Sequence, residues 1–140
     1  MIIDGLICAI LSYLIMRVIR HWQKPLIWII EDSPIEIIYY QSNFRLQDYN
    51  VKYYTSAEMA VKDLLKLKQP KAVIVDYLLG NNIKGDEVVK FCDFHGIETI
   101  LITQYDGEIK GIPEKRVYRK SLDDSFFRRI ESWLHQATGN

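Results

Sequence analysis

Five polar residues stand where apolar runs stop. Glu31 and Asp32 follow LIWII, Asp76 follows AVIV, Thr103 follows TILI, and Lys120 follows VYR. If those runs are neighbouring strands, the five side chains meet at one edge of a sheet. Three carboxylates gathered in one place repel and do not all stay ionised without compensation. A hard divalent cation supplies it. Mg²⁺ takes carboxylate and carbonyl oxygens, keeps some of its waters and often completes its shell with phosphate. A lysine ammonium is a compact partner for a carboxylate or a phosphoryl oxygen, and a threonine hydroxyl can donate to that same oxygen. An aspartate in this company can attack a phosphoryl group and form an acyl phosphate.

The elements that must position these residues alternate in type. Leu26–Ile30 is a short, β-branched apolar run and predicts a buried strand. Ser33, Pro34 and Glu36 then read as a helix start with a capping box. The spacing of Ile35, Ile38, Tyr39, Ser42 and Leu46 predicts a helix to about Tyr49. Asn50–Tyr54 predicts a second strand. Thr55-Ser56-Ala57-Glu58 reads as a second capping box, before an apolar stripe of Ala57, Ala60, Val61, Leu64 and Leu65 that ends at Gln69-Pro70. Ala72–Val75 is a third strand, ending at Asp76 and followed by a loop through Gly80-Asn81-Asn82 to Gly85. Asp86–His95 is a helix stopped by Gly96. Thr99–Ile102 and Val117–Arg119 are the last strands. A final helix is expected from a Ser121/Asp124 cap, with Leu122, Phe126, Ile130, Trp133 and Leu134 facing inward. Trp28, Phe91, Phe94, Trp133 and Tyr39, Tyr40, Tyr53 and Tyr54 read as packing residues. Strand–helix alternation implies an α/β domain with a parallel sheet covered on both faces. For the strand order 2-1-3-4-5, the site lies at the C-terminal ends of strands 1 and 3, where Glu31, Asp32 and Asp76 stand.

The chain has 140 residues, with 18 Lys+Arg against 18 Asp+Glu. That balance disfavours a nucleic-acid binder that works by bulk positive charge. Cys8 and Cys92 make no disulfide framework, and with His21, His95 and His135 they match no zinc spacing. Residues 2–19 are apolar except for Asp4, Gly5, Ser12 and Arg17, which is close to the lower length for a membrane-spanning helix. Arg17 stands near the end of the run, and Arg20, His21 and Lys24 follow it. A cleaved signal peptide carries its positive charge first, so the order here fits one poorly. Two readings of residues 1–24 stand. One is a membrane anchor, with the following residues on the cytoplasmic side. The other is a helix packed on the domain or on a second copy in a homodimer. Residues 25–140 form the domain.

IIEDSP at 29–34, VIVDYLLGNNIKG at 73–85, LIT at 101–103 and YRK at 118–120 together resemble the receiver domain of two-component response regulators, over about Leu26 to His135. The resemblance implies a flavodoxin-like fold and Mg²⁺ held by Glu31, Asp32 and Asp76, with the backbone carbonyl of Leu78 as a further ligand. It implies that Asp76 accepts phosphate from a histidine kinase or phosphotransfer protein, with Thr103 and Lys120 contacting the phosphoryl oxygens. Such a module is not an enzyme beyond its own phosphoryl uptake and loss. It acts through a protein target, with no nucleic acid of its own, and here it would sit in the cytoplasm or on the inner face of the cytoplasmic membrane.

Three positions depart from the family. Ser121 stands where the family has proline after a cis bond, so a trans Lys120–Ser121 bond is expected. Val117 stands where an aromatic is common. The stretch from Thr103 to Lys120 is short and holds Gly107, Gly111 and Pro113, so the family's fourth helix is expected to be shortened or missing. The alternative function is a receiver-like scaffold or assembly subunit that no longer switches. A haloacid-dehalogenase-type phosphotransferase is disfavoured, because it needs a second aspartate where Leu78 stands.

Overall fold

The computed structural model describes residues 2–66, 68–80, 83–121 and 123–139. The chain opens with α1 (Ile2–Gln23), then β1 (Leu26–Ile30), α2 (Pro34–Asn43), β2 (Asn50–Tyr54), α3 (Ala57–Lys66) and β3 (Ala72–Asp76). It continues with α4 (Gly85–Phe94), β4 (Glu98–Thr103), a short 3-10 turn at Glu114–Arg116, β5 (Val117–Arg119) and α5 (Ser125–Thr138). All strand pairs are parallel, in the order β2-β1-β3-β4-β5. This is the expected sheet, with the extra N-terminal helix in place. Between β4 and β5 the described residues hold turns and the 3-10 segment but no α-helix, so the expected loss at that place is observed.

Each face of the sheet is covered because its central strands alternate between two apolar layers. Trp28, Ile30, Val73, Val75 and Leu101 pack under α3 and α4 with Ala57, Ala60, Leu64, Val88, Val89 and Cys92. Ile27, Ile29, Ile74, Ile100 and Ile102 pack under α2 and α5 with Tyr40, Phe44, Phe126, Phe127, Ile130 and Leu134. Both sets exclude water almost completely, and burial of this kind dominates the favourable side of folding. No peptide bond among the described residues is cis, so Lys120–Ser121 is trans as expected.

Several local readings need correction. α2 ends at Asn43, not near Tyr49. Phe44 is extended and turns in to meet Phe127 edge-on at 4.8 Å, and the Arg45 N–H donates to Glu131 on α5. The stripe Ile35–Ile38–Tyr39 is the outer face of α2, with Ile35 78% exposed, whereas Tyr40 points inward and is fully buried. Leu65 and Phe94 are exposed, against the expectation of packing. Trp133, by contrast, is partly buried against the core, as expected of a packing residue. Ser56 does cap α3, accepting from the Met59 N–H, but Glu58 binds the Ser56 hydroxyl rather than completing a box. The last helix starts four residues after Ser121. Asp123 accepts from the Ser125 N–H, and Ser121 only supports Asp123. Leu122, Asn81 and Asn82, named in the expectations, lie outside the described residues.

α1 is not packed on the domain. Its segment Ile2–Arg20 has a mean hydropathy of 2.1, and none of it is buried. The helix is exposed along this segment, and both readings of residues 1–24 stand as proposals.

Candidate functional site

The topology brings the strand-end residues together. Glu31 follows β1, Asp76 ends β3, and these strands are hydrogen-bonded neighbours with Ile30 opposite Val75. Oxygens of Glu31, Asp32 and Asp76 lie within 4.8 Å of one another. Glu31 and Asp76 are buried, while Asp32 is half-buried at the rim. Lys120, just beyond β5, reaches across the sheet edge. Its ammonium is 3.5 Å from Asp76 Oδ1, 3.7 Å from Glu31 Oε2 and 3.4 Å from Glu36 Oε2. The Lys120 N–H donates to the Thr103 carbonyl, which anchors the lysine beside the end of β4.

Thr103 is fully buried, and its hydroxyl oxygen accepts from the Tyr105 N–H at 2.9 Å. It lies one residue beyond Ile102, the register partner of Asp76. Leu78 sits in the loop after β3 with an exposed side chain. Val117 is buried at the start of β5, and Tyr118 is half-buried under Arg129, whose guanidinium lies 5.7 Å from the ring centre. The place of Val117 thus holds an aliphatic side chain, and the aromatic Tyr118 stands one position later.

Two site residues escape the sequence reading. Tyr40 donates its hydroxyl to Glu31 Oε2 at 3.0 Å, and its ring lies 5.6 Å from the Lys120 ammonium. Glu36 was expected to close a capping box at Ser33. Its own N–H does donate to Ser33 Oγ, but its carboxylate turns instead to Lys120, and the Ser33 N–H is taken by Glu31 Oε1. The available signal was the four-residue spacing of Glu36 and Tyr40, which places both on one helix face. Reading the apolar residues alone chose the opposite face.

Two glycines let the backbone close around the acids. A Cβ on Gly85 would stand 2.2 Å from the Asp76 carbonyl oxygen, so only glycine lets α4 begin this close to the end of β3. A Cβ on Gly80 would stand 2.8 Å from Asp32 Oδ2, the atom that accepts from the Gly80 N–H at 2.8 Å.

The electrostatics follow from this crowding. Burial, reinforced by the Asp76 carboxylate, pushes Glu31 up to about 7, against the lowering effects of the Ser33 N–H, Lys120 and the Tyr40 hydroxyl. Burial also raises Asp76, although Lys120 opposes the shift. Burial and the neighbouring carboxylates push the Tyr40 phenol far up, so it stays a protonated donor. One ammonium does not neutralise four nearby carboxylates. The three clustered acids offer hard oxygen donors at the spacing a small divalent cation would draw together, and the residues present fit Mg²⁺.

Comparison with known proteins agrees with this arrangement at the level of fold. No family model and no curated protein matches the chain. Solved structures do. The signal receiver domain of an HD domain-containing protein from Pseudomonas fluorescens is 19% identical, with a TM-score of 0.65, over 84% of this chain and 100% of that one. A two-component transcriptional regulator from Clostridium phytofermentans is 18% identical, with a TM-score of 0.65, over 82% of this chain and 92% of that one. The N-terminal domain of a response regulator/sensory box/GGDEF protein from Carboxydothermus hydrogenoformans is 19% identical, with a TM-score of 0.62, over 82% and 99%. The chain therefore has the receiver fold, carried behind an additional apolar helix.

Proposed function

We propose that this protein is a phosphoacceptor signalling module, phosphorylated on Asp76 in a Mg²⁺-dependent reaction and held at the inner face of the cytoplasmic membrane by α1. The observation that carries the reading is Asp76 beside Lys120, at 3.5 Å, within a cluster of three acids at the sheet edge. Glu31, Asp32, Asp76 and the Leu78 carbonyl would hold the metal, which when bound neutralises charge on the phosphoryl oxygens. An Asp76 oxygen attacks phosphorus, the bond from phosphorus to the donor imidazole breaks, and the imidazole leaves and takes up a proton. Lys120, now close to Glu31, Glu36 and Asp76, is placed to follow the new negative charge, and Thr103 stands at the neighbouring strand end to donate to it. The donor is a histidine kinase or phosphotransfer protein. The exposed side of α2, with Ile35 and Tyr39 beside Lys120, gives it an open approach. Beyond this self-catalysed uptake and loss the protein is not an enzyme.

Without an α-helix between β4 and β5 and without an aromatic at Val117, recognition by the protein target falls to the strand-end loops and to α1. Membrane attachment rests on the fully unburied apolar stretch Ile2–Arg20 and on the basic residues that close it. The test is intact-mass measurement of the full chain with acetyl phosphate and Mg²⁺. One phosphoryl group should add to the native protein and none to Asp76→Asn. If the native chain stays unmodified while a control receiver responds, the scaffold reading replaces this one. A full chain that proves soluble and monomeric would remove the anchor and the homodimer alike.

A further inference from the structure

The formal charge of the chain is zero, but the charges are not mixed. The C-terminal ends of the strands carry Glu31, Asp32, Glu36 and Asp76. The N-terminal ends carry exposed lysines where α1 joins the domain. α1 ends at Gln23, and only Lys24 and Pro25 separate it from β1. The Asn50 N–H donates to the Pro25 carbonyl, and the Lys71 N–H donates to the Leu26 carbonyl at 2.8 Å on the other side. Lys71, at the end of the connection from α3, is therefore held at the start of β1, three residues beyond the end of α1, with Lys66 and Lys68 preceding it in the chain. Lys66, Lys68 and Lys71 are exposed, and among the described residues neither they nor Lys24 form an ion pair with a carboxylate. The acidic side chains nearest this group stand beside Lys66 and Lys24 rather than Lys68 and Lys71, and Asp63 on α3 interacts electrostatically with Lys66. Asp48 shares a recess with Arg20, Lys24 and His135, Asp93 is held by Arg116 at 2.6 Å, and Glu98 begins β4, two strands away from β1.

We infer that Lys24, Lys66, Lys68 and Lys71 form a seat for anionic lipid headgroups, which fixes the domain on the membrane with its acidic site turned away from the surface. The inference rests on the membrane reading of α1. What singles out lipid is continuity. The lysines sit within a few residues of the end of a helix long and apolar enough to span, on the side that the positive-inside rule puts in the cytoplasm. Basic residues beside a spanning helix are drawn to the negative inner leaflet, and the attraction fades within a Debye length of about 8 Å. β1 runs away from this foot, so the end of the sheet that carries Asp76 faces the solvent, where a phosphodonor protein arrives. The same polarity keeps the three carboxylates away from the negative surface.

The experiment uses the full chain reconstituted in vesicles of phosphatidylcholine alone or of about 3:1 phosphatidylcholine and phosphatidylglycerol, chosen to give a negative surface. A membrane-impermeant amine reagent then reads each outward-facing lysine by peptide mass. Labelling of Lys68 and Lys71 should slow about fivefold in the anionic vesicles, the Boltzmann factor for a charge held at such a surface. High salt should restore it. Lys84 and Lys110, outside the patch, should label equally in both. The double variant Lys68→Glu with Lys71→Glu should stay bound to vesicles, and the remaining Lys66 should lose its protection. Equal labelling of Lys68 and Lys71 on vesicle-bound chain overturns the seat and leaves the anchor standing. Equal slowing of Lys84 and Lys110 also overturns it, because contact would then not be confined to this end. Protection by an added oligonucleotide on neutral vesicles, with none from phosphatidylglycerol, would reassign the patch to nucleic acid. Failure of the chain to float with neutral vesicles after a salt wash overturns the anchor, and the seat with it.

Discussion

At the C-terminal ends of the strands, residues far apart in sequence converge and pair with one another. Glu31 takes the Tyr40 hydroxyl and the Ser33 N–H, Asp32 takes the Gly80 N–H, and Lys120 stands among three carboxylates. At the N-terminal ends, near α1, Lys68 and Lys71 stand on one short connection, exposed and without an ion pair to a carboxylate among the described residues. The first arrangement is a built site, whose Glu31 and Asp76 are pushed up in pKa by burial and by neighbouring carboxylates. The second is a solvated surface, which orders nothing in the fold and is available to an external negative charge. The difference shows that a net charge of zero can conceal two opposite ends, and that burial decides which of them can carry chemistry. Substitutions matched across the two ends should therefore behave differently.

The largest contrast is expected between two glycines. Gly85→Ala drives a Cβ to 2.2 Å from the Asp76 carbonyl oxygen and 2.7 Å from Tyr77 Cα, and neither backbone atom can swing aside. Either α4 or the end of β3 must shift. Thermal and denaturant unfolding should show a loss of about 4 kcal/mol, the upper range for a single substitution, together with loss of Mg²⁺ binding. Gly96, at the opposite end, has φ +69° but open space around it. Gly96→Ala should cost only about 1–2 kcal/mol, the ordinary left-handed penalty. Equal losses would mean that the close approach at Gly85 is not a constraint. Next in size is Lys120→Met. It strips the ammonium that, among the described residues, alone pairs with Asp76, Glu31 and Glu36, and breaking a buried ion pair costs about 3–5 kcal/mol before Mg²⁺ is added. The site is partly open, so the lower figure is expected, and Mg²⁺ should restore part of it in the same melt. A variant as stable as the native chain, with or without Mg²⁺, would show that the acids do not depend on this lysine.

The same contrast explains what could be read from the sequence. The strands were legible because a parallel strand covered on both faces is an unbroken apolar run, as in LIWII and AVIVD. The strand-end acids, Thr103 and Lys120 were legible because polarity appears abruptly where those runs stop. The inward face of α2 was not. Ile35, Ile38 and Tyr39 form the more apolar stripe, yet they are exposed, because Glu36 and Tyr40 on the other side are drawn to Lys120 and Glu31. Helical periodicity counts greasy residues and cannot register a phenol that is buried for its hydroxyl. The end of α2 was also missed. Nothing in the spacing marks Asn43, since the stop comes from Phe44 turning in to Phe127 and from Arg45 bonding to Glu131, a residue 86 positions away. The role of Gly85 is a tertiary fact of the same kind.

The smallest effect compares one substitution at both ends. Tyr40 and Tyr49 are both buried tyrosines, Tyr40 beside the acidic site and Tyr49 immediately before β2 at the basic end. Tyr40 donates its hydroxyl to Glu31, whereas the buried Tyr49 hydroxyl has no hydrogen-bond partner. Tyr40→Phe leaves a buried carboxylate short of one donor, and hydrogen bonds to charged groups are worth about 1.5–3 kcal/mol. Glu31 is raised to about 7, so part of its population is neutral near that pH, which places the loss at the low end of that range. Tyr49→Phe removes a hydroxyl that was already unsatisfied and changes no ring volume, so it should be neutral or slightly stabilising, within about 0.5 kcal/mol. Denaturant melts of the two variants, each against the native chain, read the difference directly. Mg²⁺ titration adds a second reading, because Tyr40→Phe frees a Glu31 oxygen from the phenol and should alter the affinity, while Tyr49→Phe should not. Equal destabilisation by the two variants, with the same Mg²⁺ affinity in both, would mean that the phenol at position 40 serves packing alone and that the two ends of the sheet are less different than their charges suggest.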